Sequence, residues 1–457
     1  MDRPPGPLSW LVHGYDEWES TGSTAILQIV PAPARSWVAR VAVALGAGLV
    51  MTYAYGTARY RRNGTTGYQL GDPPQPGSGE FTRLVEGVSG SSLRGGNRVR
   101  VLRNGHQTFP TMLDAIAAAQ ATIDLSSYIY WPGDITDRFT EALCARAEAG
   151  VEVNVVLDAY GSAKIDRDTV HRLERAGATV KFFRPLAWYN LDKLNNRMHR
   201  RLLVIDGRIG FAGGVGIADV WTGDAQDPEH WRETHAMVEG PAVRDIVGGF
   251  MENWAEAAGV TLGRSHLPDL PAFDDGVDVQ VIRSSPRSGG TATAQLFSAA
   301  VAGAQERLWI TTAYFAPDEA FLELLCDAAA RKVDVKILVN GPNVDKEVVR
   351  ESGQRQYGRL LEAGARIFEY QPTMLHAKVM IADGWANLGS SNLEHRSLGL
   401  DDELMIAFTD AGLVDELARH FAADLEVSSE FDLHRWRERS LAKRAREATI
   451  DLFRQSL

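Results

Sequence analysis

Two histidines, each followed at fixed spacing by a cation and a carboxylate, carry the chemistry this chain could do. His199, Arg201 and Asp206 stand at offsets 0, 2 and 7, and His376, Lys378 and Asp383 repeat those offsets 177 residues later. Each trio lies in an apolar run that reads as a strand: His199-Arg-Arg-Leu-Leu-Val-Ile-Asp206, and His376-Ala-Lys-Val-Met-Ile-Ala-Asp383. Strand side chains alternate faces, so the imidazole and the cation two residues on point the same way. Two such units brought together make a site with two histidines and two cations. That set serves a phosphodiester: a nucleophile for phosphorus, a proton donor for the leaving oxygen, and cations for the charge on the transferring phosphoryl group. Asp206 and Asp383 lie five residues beyond each cation and precede Gly207 and Gly384. They are expected to tie a turn and to have a structural role only.

The segments that must position the trios are themselves repeated. Ahead of the first come Thr122 to Tyr128, Glu141 to Cys144 and Gly150 to Leu157; ahead of the second come Leu308 to Tyr314, Glu323 to Cys326 and Val333 to Val339. Both sets read as strand, helix, strand, with β-branched apolar strands of the kind buried under helices. The implied fold class is α/β with two duplicated halves, each a mixed sheet flanked by helices, packed about a pseudo-twofold with the site between them. The halves are expected at 98–265 and 277–430, joined by a Pro- and Asp-containing linker at 266–276. Cys144 and Cys326 fall at equivalent helix positions and read as small buried hydrophobes, since two cysteines make no disulfide framework. His230, His235 and His395 lie near the trios, but no Cys/His/carboxylate set has metal-ligand spacing, so no metal is expected.

Composition and the chain ends bound the partners. Hydrophobic residues make up 45% of the chain, ample for a core, and net charge is 48 − 59 = −11. No basic stretch interleaved with aromatics interrupts the body, which argues against nucleic acid as partner. Residues 1–35 read as a flexible segment. Residues 36–62 read as a single transmembrane helix: the uncharged run Val41 to Ala58 just reaches the roughly 17–25 residues a span takes, with a buried or surface-lying helix as the alternative. Arg59, Arg61 and Arg62 follow the run, against Arg35 and Arg40 before it, which puts the catalytic body on the cytoplasmic side of the cell membrane. Residues 63–97 read as a linker, flexible where Gly, Pro and Thr concentrate. Residues 431–457 read as a basic tail helix that either lies on an anionic bilayer or packs on the body.

At the two trios the chain resembles the phospholipase D superfamily, whose signature is His-x-Lys-x4-Asp in two copies. The second copy matches in full and runs on into Gly389-Ser390-Ser391-Asn392, similar to the family's Gly-Ser-x-Asn. The first departs twice, with Arg201 for Lys and Gly216 for Asn. The resemblance spans roughly residues 98 to 430. It implies that His199 attacks and carries a phosphohistidine intermediate, that His376 is the acid and then the base, and that Arg201 and Lys378 hold the charge. It further implies that Ser390 and Asn392 bind substrate phosphate, that a carboxylate downstream of each motif (Glu233, Glu403) holds a histidine's other nitrogen, and that no cofactor is needed. Arg201 is expected to replace both the Lys charge and the lost Asn amide; an inactive first half is the competing reading. Thr312-Ala-Tyr-Phe-Ala-Pro317-Asp318 looks like a stretch of bacterial cardiolipin synthases, and Asp158 to Ser162 and Leu194 to Gly214 look like their first half. The implied reaction passes a phosphatidyl group from one phosphatidylglycerol to another, with anionic phospholipid and the membrane surface as partners. A hydrolytic phospholipase D and a non-catalytic lipid-binding protein with a degenerate first half stay open, a nuclease less so. Oligomeric state is not indicated.

Overall fold

The computed structural model describes residues 67–439 apart from 186–195 and 286–290, together with Arg40, Gly46, Gly48 and Met51. The chain divides into two compact units, Met1–Gly64 and Thr65–Leu457. Of the expected membrane run only Gly46, Gly48 and Met51 are described, all helical, and the rest lies outside the described residues, as does the tail from 440 onward. Among the described residues no helix is long and apolar enough to cross a membrane.

The larger unit is built on one continuous mixed sheet. The first half supplies β1 (Leu93–Arg103), β2 (Thr122–Ser127), β3 (Glu152–Asp158), β4 (Thr179–Phe183), β5 (Leu202–Ile205), β6 (Ile209–Gly213) and β7 (Thr234–Glu239). The second supplies β8 (Val277–Ser284), β9 (Arg307–Thr311), β10 (Phe315–Ala316), β11 (Asp334–Asn340), β12 (Arg366–Tyr370), β13 (Val379–Ala382), β14 (Trp385–Gly389), β15 (Leu393–Glu394), β16 (Glu403–Phe408) and β17 (Ser428–Phe431). The order is β17-β12-β11-β9-β13-β14-β16-β8-β1-β7-β6-β5-β2-β3-β4, with β10 and β15 as a separate ribbon. Read outward from the central antiparallel β1·β8 pair, the halves repeat the same order, and β17 is added at one edge. In each half the outer three strands are parallel and the inner ones antiparallel.

Alternation along the motif strands assigns their side chains to two cores. Leu203 and Ile205 of β5 enter a core confined to the first half, while Leu202 and Val204 enter a core shared by both halves. On β13, Met380 and Ala382 enter the second half's own core, and Ile381 enters the shared one. The shared core, with Leu404 and Ile406 of β16 against Ala212, Ala236 and Val238, makes the two halves one body. After each motif strand the chain turns with Asp206 at φ 52° and Asp383 at φ 48°, a conformation Asp tolerates better than most residues. Asp206 accepts backbone hydrogen bonds from Gln120, Ala121 and Thr122 at the start of β2. Asp383 does the same for Gln305, Glu306 and Arg307 at the start of β9. Cys144 and Cys326 are half-buried beside the first- and second-half cores.

Two boundaries differ from the sequence reading. The described part of 63–97 is packed structure, not a tether. A helix, Gly79–Ser89, capped by Ser78, buries Phe81 and Val85 in the second half's core, with the Phe81 ring edge-on to Trp385 at 5.4 Å. Phe81, Leu84 and Val85 recur at helical spacing, a signal overshadowed by the Gly/Pro-rich stretch that precedes the helix. His266, placed in the linker, is buried against the first half, with Nδ1 2.8 Å from Asp124 and Nε2 3.1 Å from Glu152.

Candidate active site

The histidines do not sit within the motif strands. β5 begins at Leu202 and β13 at Val379, so His199, Arg201, His376 and Lys378 lie on the extended lead-ins. The reason is where the lead-in backbone finds its partners, which is across the halves. His199 N donates to Asp402 O (3.0 Å) and Asp402 N to Arg197 O (2.9 Å); His376 N donates to Arg232 O (2.7 Å) and Arg232 N to Met374 O (2.9 Å). These short parallel bridges bring Glu403, one residue past Asp402, to His199, and Glu233, one past Arg232, to His376. The carboxylate downstream of each motif therefore meets the other motif's histidine.

A second tie precedes each histidine. Met198 N donates to Asp158 at the end of β3 (3.0 Å), and Leu375 N donates to Asn340 at the end of β11 (2.7 Å). Asp158 is fully buried and is held by the Arg197 guanidinium at 3.0–3.1 Å. One half thus fixes its lead-in with a buried ion pair, the other with a neutral amide. Breaking such a pair by removing one partner costs roughly 3–5 kcal/mol.

His199 Nδ1 lies 2.9 Å from Glu403 Oε1, and Arg201 Nη2 lies 2.9 Å from His199 Nε2. A guanidinium only donates, so Nε2 holds the lone pair and Nδ1 the proton given to Glu403. Arg201 also donates to the His199 carbonyl (2.6 Å). His376 Nδ1 is hydrogen-bonded to Glu233, and Lys378 donates to the His376 carbonyl with Nζ 3.9 Å from Glu233. All six groups are buried. Burial, and after it Arg201 and Lys378, hold both imidazoles well below the ordinary histidine value and keep them neutral. Burial lowers Lys378 to about 7 and raises Glu233 and Glu403 to about 7 each. A cluster poised near neutrality can both orient a nucleophile and pass a proton. Aromatic edges shape the walls, with Tyr128 5.0 Å from His199, and Trp221 and Trp231 5.3 and 5.5 Å from His376.

The remaining residues singled out in the sequence are placed as follows. Ser390 donates its one proton to Glu403 and accepts from Leu404 N (3.0 Å), so in this arrangement it supports Glu403 and has no hydrogen left for a phosphate. The Asn392 amide nitrogen lies 3.5 Å from Ser397 Oγ, and its carbonyl oxygen is buried without a partner. In the first half a side chain at Gly214 would meet the Glu233 carboxylate at 2.2 Å, and one at Gly216 would meet Trp221 at 2.9 Å. Trp221, five residues past Gly216 as Ser397 is past Asn392, fills the space an Asn would take. Asp206 and Asp383 stand away from the histidines, at the turns described above. Among the described residues no group of His, Cys, Asp and Glu could hold a metal ion; the positive charge at the centre is that of Arg201 and Lys378. The role of Trp221 and the Asp158–Arg197 pair were not read from the sequence. The only available signal for the pair was an Asp at a strand end and an Arg two residues before the histidine.

The cardiolipin synthase, phospholipase D-like domain family matches residues 112–241 and 297–425, one stretch in each half. The chain is 33% identical over 375 residues to a cardiolipin synthase of Halalkalibacterium halodurans, covering 81% of this chain and 74% of that protein. It is 34% identical over 336 residues to cardiolipin synthase A of Pseudomonas fluorescens, covering 73% and 70%. The fold is similar to that of the phosphatidylserine synthase of Haemophilus influenzae, with TM-score 0.63, 13% identity, and coverage of 83% of this chain and all of that one. Two matched stretches holding the two motifs, with relatives of this identity over most of the length, establish that the chain belongs to the phospholipase D-like cardiolipin synthase family.

Proposed function

We propose that the chain is a membrane-associated phosphatidyltransferase that makes cardiolipin from two phosphatidylglycerol molecules through a phosphohistidine. The observation that carries this reading is the crossed pair of His–Glu contacts with Arg201 and Lys378 beside them. His199 Nε2 attacks phosphorus of the first lipid as Arg201 exchanges its bond to that nitrogen for a phosphoryl oxygen. The P–O bond to glycerol breaks, and the leaving oxygen takes a proton from His376 Nε2 as Glu233, in its protonated form, passes its own proton to His376 Nδ1. His376 then takes the proton from a hydroxyl of the second phosphatidylglycerol. That oxygen attacks phosphorus, the P–N bond breaks, and His199 returns neutral. Arg201 and Lys378 stabilise the charge on the equatorial oxygens in both steps. The choice of phosphatidylglycerol rests on the cardiolipin synthase relatives and on the need to bring two anionic lipids together. The uncharged run Val41 to Ala58 and the basic tail supply the membrane attachment in this reading.

The test uses purified full-length protein with labelled phosphatidylglycerol in detergent micelles, beside His199→Ala and His376→Ala. Cardiolipin and glycerol from the wild type alone are expected. Phosphatidate as the sole product would make it a hydrolase, and lipid binding with no product would make it a binding protein.

A further inference from the structure

One buried carboxylate beside the site has no part in the mechanism above. Glu394 lies on β15, paired in parallel with β10 through Ala316. Leu393 beside it points into the second half's core, so Glu394 faces the opposite way. Lys346 and Arg396 attract its charge, and Asp401 and Glu403 repel it. Its charge reaches Lys378 and Tyr314. Lys346 is exposed, with Nζ 5.0 Å from the centre of the Tyr314 ring, and the Tyr314 hydroxyl donates to Asp345 at 2.8 Å. Arg396 is tied to Asp401 at 3.1 Å. Glu394 itself is 6% exposed, and among the described residues no hydrogen bond reaches its carboxylate. Burial raises it to about 7.

The duplicated half shows that the frame does not require a carboxyl group at this position. Glu394 and Arg396 stand two and four residues past Asn392; the same positions past Gly216 are Ala218 and Val220. Ala218 is buried in the first half's apolar core. The polar group is therefore specific to one side of a two-sided site. Its chemistry is that of an acceptor flanked by cations, which suits a ligand with several hydroxyl donors close to a phosphate.

We propose that Glu394, flanked by Lys346 and Arg396, is the specificity-determining residue that binds the hydroxyls of the polyol head group. It orients the glycerol hydroxyl that attacks, and it acts through substrate position, not through proton transfer. This rests on the transferase reading.

The experiment offers the purified full-length enzyme and phosphatidylglycerol in micelles two competing acceptors, labelled glycerol and ethanol. It measures kcat/KM for exchange of glycerol and for formation of phosphatidylethanol, in wild type, Glu394→Ala, Glu394→Gln and Glu394→Asp. The glycerol-to-ethanol ratio should fall about 10- to 100-fold in Glu394→Ala, the scale for losing a hydrogen bond to a charged group. Ethanol transfer should be retained, which also reports a folded site; Glu394→Gln should lie between, and Glu394→Asp should keep most of the preference. An unchanged ratio, or equal loss on both acceptors, would overturn the head-group role while leaving the transferase intact. Wild type that releases only phosphatidate would overturn the transferase reading and this subsite together.

Discussion

After β14 the second half turns through Ser390 and Asn392 with Ser397 close by, whereas after β6 the first half turns through Gly214 and Gly216 with Trp221 packed over them. Because the carboxylates cross, each turn serves the other half's histidine. The polar turn supports Glu403, which holds His199; Ser390 and Ser397 both hydrogen-bond that carboxylate. The apolar turn surrounds Glu233 and His376, and Trp221 and Trp231 flank the ring. Glu233 has the Thr234 backbone N–H at 2.8 Å and the His376 ring as its hydrogen bonds, with Lys378 nearby. The loss of Asn at position 216 therefore bears on the His376 side, while the Lys-to-Arg change at position 201 bears on His199. Hydrogen bonds from Ser390 and Ser397 oppose the burial that raises Glu403 and favour its ionised form, which fixes a neutral imidazole and suits a nucleophile. A carboxylate in drier surroundings shares its proton more readily, which suits an acid. The departures from the family pattern fall on opposite sides of the site, and each can be tested.

The largest effect should be at the histidines. His199→Ala should abolish transfer with every substrate. His376→Ala should lose about 10²- to 10⁴-fold on phosphatidylglycerol, the range for general acid catalysis, and regain most of it on a phosphatidyl ester with an activated phenol leaving group. Recovery in His199→Ala instead would reverse the assignment. Next, Arg201→Lys should lower kcat/KM about 10- to 100-fold, because an ammonium lacks the planar fork that reaches both the carbonyl and Nε2; equal or higher turnover would break the first-half reading. Third comes the pH profile of kcat/KM. Turnover should fall below about 7 as Glu403, whose ionised form holds His199, becomes protonated, and above about 7 as Glu233 loses the proton the acid needs and Lys378, lowered by burial, loses its charge. Lys378→Arg keeps its charge, so its alkaline limb should become shallower, with Glu233 left to titrate; an unchanged limb would assign the whole loss to Glu233. Smallest, Gly216→Asn should cost about 1–3 kcal/mol of stability through overpacking against Trp221, read as a lowered denaturation midpoint. Trp221→Ser empties a buried site and is itself destabilising, but the double variant should lose less than the sum of the two single losses, and simple additivity would mean the two positions do not share one space.

How much of this was legible in the sequence differs by level. The duplicated strand–helix–strand order before each histidine gives the outer strands β2, β3, β9 and β11 and the helices between them, because buried strands carry long apolar runs. The motif residues His199, Arg201, His376 and Lys378, and the carboxylates Glu233 and Glu403, do meet in one buried cluster. The crossing was not legible, since backbone bridges such as Met198 to Asp402 and Arg232 to Leu375 leave no periodic trace. Nor was the packed segment before β1, where the apolar-spaced helix Gly79–Ser89 follows directly on a Gly/Pro-rich stretch. Ser390 shows the limit of motif transfer: it lies beside Glu403, and its hydrogen is donated to that carboxylate.

The crossed bridges also set what can be taken apart. Neither half holds its own histidine, so a fragment ending before β8 would leave His199 without the Asp402 strand contact and without Glu403. A chain severed in the 267–276 segment can work only if the two pieces find one another again, and two unlike copies that exchange halves would each regain a whole site. The two halves are similar pieces, and the crossing makes each depend on the other for the carboxylate that holds its histidine.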